Sequence, residues 1–328
     1  MASQDTEGPD GPDPRRERLL ARREDQRRNR ARARKRRAIA LGAGALAVAA
    51  VVAVAALAGG GSKGGDGSGS GRSKTAATAT TEKAPHSAAA QGEGAGLVRN
   101  ATPQPDWEPH TGPVPILEYH VLGAPAADAT YPELYVSRPD FHQQMDWLDQ
   151  HGYQAVTLKE VEDAWHDEGS LPAKPVVISF DDGYRPQFTY ALPELRRHGW
   201  PGVLNLKAEG SDLYESNVEA MIAAGWELAA HTIDHSDLTT LGAAELKRET
   251  AGAREILRRE YGVPVKDFCY PSGRFDATVI AAVEAAGYVT ATTEIPGYAA
   301  RDAPYELARF EILGSTGVSG MAADLASG

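Results

Sequence analysis

Cysteine is almost absent: the 328 residues hold one, Cys269. A single thiol excludes an intramolecular disulfide and any zinc site built from several thiolates. A Gly-rich phosphate loop is missing, so neither a nucleotide nor an organic cofactor is expected. Internal repeats are missing too. Basic charge is scarce beyond residue 37: Met1–Arg37 holds thirteen Lys and Arg against seven Asp and Glu, while the whole chain carries −11. The rest is therefore strongly acidic. Nucleic acid is excluded as the expected partner, because phosphate binding needs a basic surface.

What is there divides in four. The basic tail 1–37 precedes Ala38–Ala58, which carries no charge. As a helix that run would span ~31 Å, close to the thickness of a bilayer's hydrocarbon core. Residues 38–58 are thus expected to be a transmembrane signal-anchor, with the basic block cytoplasmic and the body extracellular. Cleavage after Ala56-Leu57-Ala58 is the alternative, which would make the body secreted. Residues 59–105, rich in Gly, Ser, Ala and Thr, cannot bury enough apolar surface to order themselves and are expected to be a flexible linker. Residues 106–328 are long enough for one barrel-sized domain, expected to be monomeric.

In that body, strand-like and helix-like stretches alternate. Val114–Tyr119, Gln154–Leu158, Pro175–Phe180, Gly202–Leu206, Trp226–Ala230, Asp267–Tyr270, Tyr288–Thr292 and Arg309–Leu313 read as strands. Helices are expected from Pro139 to Gly152 and over 159–167, 187–198, 217–224, 243–261 and 277–286. Pro175–Phe180 is a near-continuous apolar run, as in a buried parallel strand. Repeated βα units make this an α/β protein with a parallel sheet, most simply a (β/α) barrel, whose chemistry sits at the C-terminal strand ends.

Notable polar residues fall at those ends. Ser179-Phe180-Asp181-Asp182-Gly183 puts two adjacent carboxylates after the most apolar strand. Burying both is costly without a cation or a proton, so one could serve a metal while the other handles a proton. An exposed Asp-Asp-Gly turn is the ordinary alternative. His231-Thr232-Ile233-Asp234-His235 follows another strand. Read as a helical turn, it sets two imidazoles on one face, able to grip one divalent ion. Asp plus two His makes a three-ligand site with positions left for water and substrate.

His120 ends the first strand, where a backbone carbonyl could equally satisfy it. With His231 and His235 it completes the histidines at expected strand ends, and the other six read as surface residues. Tyr270-Pro271-Ser272-Gly273 is a turn that could aim a backbone N–H at an oxyanion. Cys269 reads as a small core residue. Arg309, on the last strand, is ordinarily a surface residue.

Ser-Phe-Asp-Asp-Gly, His-Thr-Ile-Asp-His and Tyr-Pro-Ser-Gly, in this order, resemble the signature motifs of the NodB-like polysaccharide deacetylases, carbohydrate esterase family 4. The resemblance runs from about Val114 to Leu313. It implies a distorted (β/α) barrel and one divalent metal, usually Zn2+ with Co2+ or Ni2+ as alternatives, held by Asp182, His231 and His235. It also implies Asp181 as general base and the Ser272 N–H at the oxyanion. Val-Pro-Ile-Leu-Glu-Tyr-His, followed by Tyr-Val-Ser-Arg-Pro-Asp-Phe, is similar to the exported poly-β-1,6-N-acetylglucosamine deacetylases, which implies His120 as the catalytic acid.

The implied activity is N-deacetylation of an extracellular N-acetylglucosamine polysaccharide. Peptidoglycan N-deacetylation, xylan or ester O-deacetylation, and an inactive wall-binding domain are the alternatives. Two departures stand out. Cys269 occupies the place of an arginine that in most of the family holds the catalytic Asp, which makes Arg309 the candidate to orient Asp181. The usual C-terminal Leu-x-Leu-His is also absent.

Overall fold

Residues 96–328 are described by a computed structural model. The expected basic tail, the expected transmembrane signal-anchor at 38–58 and the part of the expected linker before residue 96 lie outside the described residues. Among the described residues, no helix is long and apolar enough to cross a membrane.

In chain order the strands are β1 (Val114–Tyr119), β2 (Val121–Leu122), β3 (Tyr135–Val136), β4 (Gln154–Val156), β5 (Pro175–Asp181), β6 (Val203–Leu206), β7 (Glu227–Ala230), β8 (Asp267–Cys269), β9 (Thr290–Thr292), β10 (Tyr298–Ala299) and β11 (Phe310–Glu311). They pair in the order β10, β1, β5, β6, β7, β8, β9, with β11 also on β1 and β4 also on β5. All these pairings are parallel except β1 with β10. Between β9 and the last segment the described ladder gives only one bridge, Thr292 to Leu307. The barrel is therefore curled and incompletely closed, because its closing strands are only two or three residues long.

Helices cover the outside, and local chemistry explains their starts. Arg138–Gln150 is capped by the Ser137 hydroxyl, which accepts from the Asp140 N–H, with Pro139 in the first turn. Leu158–Trp165 begins in a capping box between Thr157 and Glu160. The helix expected over 243–261 runs unbroken, but its middle turn, Arg248–Gly252, is widened into a π-helix between Ala243–Lys247 and Ala253–Tyr261. Strand β10 and a final helix, Gly317–Leu325, were not apparent in the sequence.

The two-residue period of a strand decides what faces the barrel interior. Ile116, Glu118 and His120 share one face, as do Val177, Ser179 and Asp181. The lower interior is apolar: Ile116, Val177, Val203 and Ala229 pack with Val161 and Trp165 in one buried cluster. Leu117, Ile178, Phe180, Leu204 and Phe268 face the helices in the other. The polar members, Glu118, Ser179, Asp181 and Asn205, lie toward the C-terminal ends, and all are buried.

A second acidic group sits where β7, β8 and β9 begin. Glu162 hydrogen-bonds to Asp267 and Thr290, and burial, reinforced by the Asp267 carboxylate, pushes its pKa up to about 10. Burial also pushes Glu227 well above the carboxylate range. A carboxyl raised in the folded state gives its full stabilisation below its ordinary value of 4.5 and loses it as pH climbs toward the folded value. Stability is therefore expected to decline between about pH 5 and pH 9. Glu162→Gln, uncharged throughout, should flatten that decline. Each kcal/mol corresponds to roughly 2–4 °C in Tm for a domain of this size. Melting curves of both proteins at the two pH values check this, and parallel declines would refute it.

Candidate active site

Asp181 is the last residue of β5 and is buried. Arg309 grips it as a fork, Nη1 to Oδ1 at 2.9 Å and Nη2 to Oδ2 at 2.9 Å. Asn205 Nδ2 donates to Oδ1 at 2.7 Å, and Cys269 Sγ lies 3.3 Å from Oδ2. Burial alone would raise this carboxyl's pKa. The Arg309 guanidinium, helped by the nearby His231 and His120, outweighs burial and holds it well below the usual range. Asp181 is thus an ionised, rigidly oriented acceptor. Arg309, the candidate for orienting Asp181, is fully enclosed rather than on the surface, and it also pairs with Glu118 Oε2 at 3.2 Å.

The backbone changes hand immediately afterwards, with Asp182 at φ +75°. Gly183 follows at φ +74°, and any Cβ there would strike Ser211 and Leu206, so the sharp turn requires glycine. Asp182 Oδ1 lies 3.8 Å from His231 Nε2, 3.6 Å from His235 Nε2 and 3.5 Å from Lys207 Nζ. The Asp182 carboxyl is also held below its usual range, because the positive field of His235, His231 and Lys207 outweighs burial.

His231 Nδ1 is 2.9 Å from the Cys269 carbonyl, which can only accept, so the proton sits on Nδ1 and the Nε2 lone pair faces Asp182. Burial lowers the His231 pKa, which keeps the ring neutral. The His231–His235 stretch is a turn rather than the expected helical one, with Thr232 and His235 both at φ +63°. Its pins are the Thr232 hydroxyl, accepting from the His235 N–H, and the Glu249 carboxylate, accepting from the N–H groups of Ile233 and Asp234. The wide turn at Arg248–Gly252 supplies that Glu249.

One carboxylate oxygen and two imidazole nitrogens gathered this way suit a divalent ion. The donors of a tetrahedral ion with bonds of about 2.1 Å lie roughly 3.4 Å apart. The observed 3.6 and 3.8 Å separations are close to that. The carbonyl that fixes His231's tautomer is a typical supporting contact for a metal-holding imidazole.

His120 follows β1 and is buried, with Nε2 3.7 Å from Glu118 Oε1. Gln187 Nε2 donates to the carbonyls of His120 and Asp181, tying the ends of β1 and β5 together. Ser272 occupies a left-handed position at φ +56° in the turn after β8. Its neighbour Gly273 packs so closely on Glu294 that a Cβ would come within 2.6 Å of that residue's Cβ. The Tyr270 ring lies in the core, stacked on Phe275 at 4.9 Å, so it braces this turn from behind. Among the histidines read as surface residues, His142, His151 and His166 are exposed. His198 is not: its ring is 4% exposed and stacks on Trp200.

Sequence reasoning missed Asn205, Gln187, Glu249 and Glu118. An Asn in the apolar run Val203-Leu204-Asn205-Leu206 and a Glu in the run before Tyr119 were the available signals.

A curled parallel barrel, an arginine-held carboxylate and an Asp-His-His cluster at its mouth define a deacetylase-type hydrolase site. The polysaccharide deacetylase family model matches residues 168–291. The chain is 31% identical over 214 residues to YxkH of Bacillus subtilis (strain 168), a protein assigned to the polysaccharide deacetylases; the match covers 64% of this chain and 74% of YxkH. It belongs to the polysaccharide deacetylase family. Over 95 residues it is 36% identical to the poly-beta-1,6-N-acetyl-D-glucosamine N-deacetylase of Escherichia coli (strain K12), covering 29% of this chain but only 14% of that protein. The structure of IcaB from Ammonifex degensii superposes with a TM-score of 0.55 at 26% identity, covering 64% of this chain and 96% of that one. Streptococcus pyogenes deacetylase PplD, at 22% identity, shares the fold, with a TM-score of 0.61 over 66% of this chain and 99% of that one.

Proposed function

We propose that this chain is a divalent-metal-dependent N-deacetylase of an extracellular N-acetylglucosamine polysaccharide, poly-β-1,6-N-acetylglucosamine in the first instance. The observation that carries the reading is the juxtaposition of the Asp182, His231 and His235 donors with an ionised Asp181 clamped by Arg309. Asp182, His231 and His235 would hold the ion. When bound, such an ion supplies polarisation of the acetamide carbonyl and acidification of a water.

Asp181 takes the proton of the attacking water, and Arg309 keeps its carboxylate aimed and charged. The Ser272 N–H would steady the oxyanion. His120 gives a proton to the nitrogen as the C–N bond breaks, so acetate and a free amine leave. Acetate release from β-1,6-linked N-acetylglucosamine, chitin oligomers, peptidoglycan and acetylxylan, with and without chelator, tests the reading. Activity on none of them, or activity indifferent to chelation, would overturn it.

The acid role has its own signature. An amine leaves poorly without a proton, whereas an aryl alcohol needs none. His120→Ala is expected to lose ~10²–10⁴-fold turnover on the amide and far less on an aryl acetate. Equal losses on both would remove His120 from that role.

The body is proposed to act outside the cell, attached through 38–58 or secreted after cleavage. Protease added to intact cells should then cut within Gly59–Gly96 and free an active fragment. Activity found only in the cytosol would contradict this placement.

A further inference from the structure

Directly behind His120 lies a group of side chains that the proposed reaction does not use. Glu118 and Glu311 face one another in the parallel register of β1 and β11. Glu118 on β1 and His120 just past its end lie on one side, with His120 Nε2 3.7 Å from Glu118 Oε1. One ligand atom from each of Glu118, His120 and Glu311 lies within 4.8 Å of the other two.

Two features set this group apart from a chance acidic cluster. Glu118 has no exposed surface, yet neither of its carboxylate oxygens accepts a hydrogen bond. His120 is 8% exposed, and its buried Nδ1 has no hydrogen-bond partner. The charge count points the same way. Glu118, Glu294 and Asp181 lie around the Arg309 guanidinium, and burial raises Glu118 and Glu294 above the usual carboxylate range. Both terminal nitrogens of Arg309 are bonded to Asp181, and its approach to Glu118 is an added ion pair. Carboxylates in such an enclosure take up either a proton or a cation.

We propose that Glu118, His120 and Glu311 form a second divalent-cation site, distinct from Asp182, His231 and His235, whose occupation blocks His120 as a proton donor. Two carboxylate oxygens and one imidazole nitrogen suit Zn2+ or Mn2+. An imidazole nitrogen bound to a cation has no proton to release, so the second ion acts as an inhibitor. Arg309, whose charge opposes a cation at Glu118, makes this the weaker of the two sites. The inhibitory half of the inference rests on the acid role proposed for His120; the binding half does not.

The experiment starts from the full chain loaded with one equivalent of Zn2+ and adds zinc stepwise, with bound metal counted by equilibrium dialysis and elemental analysis. Wild type should take up a second ion per chain, and His235→Ala a single ion, at the weaker site alone. Glu311→Gln and Glu118→Gln should each stop at one ion. The two substitutions are independent, and circular dichroism identifies either one that fails to fold. In parallel, filling the second site should lower amide turnover at least about tenfold in wild type, a suppression absent in Glu311→Gln.

Saturation of wild type at one ion, or two ions retained in both Gln variants, would overturn the site. A second ion bound with amide turnover unchanged would overturn the inhibition and the acid role of His120 together, while the site itself would stand.

Discussion

Replacing His231 and His235 together by Ala is expected to take the divalent metal retained through purification from one ion per chain to none and acetate release to the background rate. A single carboxylate, Asp182, would remain of the three donors, and one oxygen does not hold a transition ion against water. The neighbouring Asp181 supplies the control. Asp181→Asn keeps all three donors, so it should retain the metal while losing turnover, because a carboxamide cannot accept a proton from water. Elemental analysis of the purified variants separates the two effects. Unchanged metal in the double histidine variant would remove these residues from the site.

The second large effect is expected in stability. Arg309 is fully buried and faces both Asp181 and Glu118. Removing one partner of a buried pair leaves the other charge uncompensated, which costs about 3–5 kcal/mol. Arg309→Met should therefore unfold at a clearly lower urea concentration than wild type and lose turnover, since the base is no longer aimed. Arg309→Lys retains the charge but not the two-pronged fit, so it should recover part of the stability and little of the activity. A wild-type urea midpoint for Arg309→Met would show that the guanidinium is dispensable to the fold.

How far the sequence alone reaches can be judged residue by residue. β5 was legible because its apolar run is long and terminates in Asp-Asp-Gly. β10 was not, because two residues show no periodicity, whereas β11 falls within the strand read at Arg309–Leu313. The alternation of βα units gave the barrel but not its incomplete closure. Asp181, Asp182, His231 and His235 were legible as types at strand ends, whereas their arrangement was not. The i, i+4 spacing of His231 and His235 fits a helical turn, and only the left-handed conformations of Thr232 and His235 show that the chain does otherwise.

Arg309 could be singled out only through the arginine missing at Cys269, since 128 residues separate it from Asp181. Glu249 had no local signal. Its contact with the His231–His235 turn depends on a widening of the helix that no side-chain pattern announces.

Among the described residues five non-glycine residues have left-handed backbones, and four of them, Asp182, Thr232, His235 and Ser272, belong to the turns at the barrel mouth. Each such conformation costs on the order of 1–3 kcal/mol, most for a β-branched residue such as Thr232. A laboratory selection for thermostability alone would therefore be drawn to these positions, where glycine relieves the strain at once. Thr232→Gly illustrates the hazard, because it would also delete the hydroxyl that anchors His235. Screens for heat resistance in this enzyme should score deacetylation in every round, or they will enrich robust proteins with a disarmed mouth.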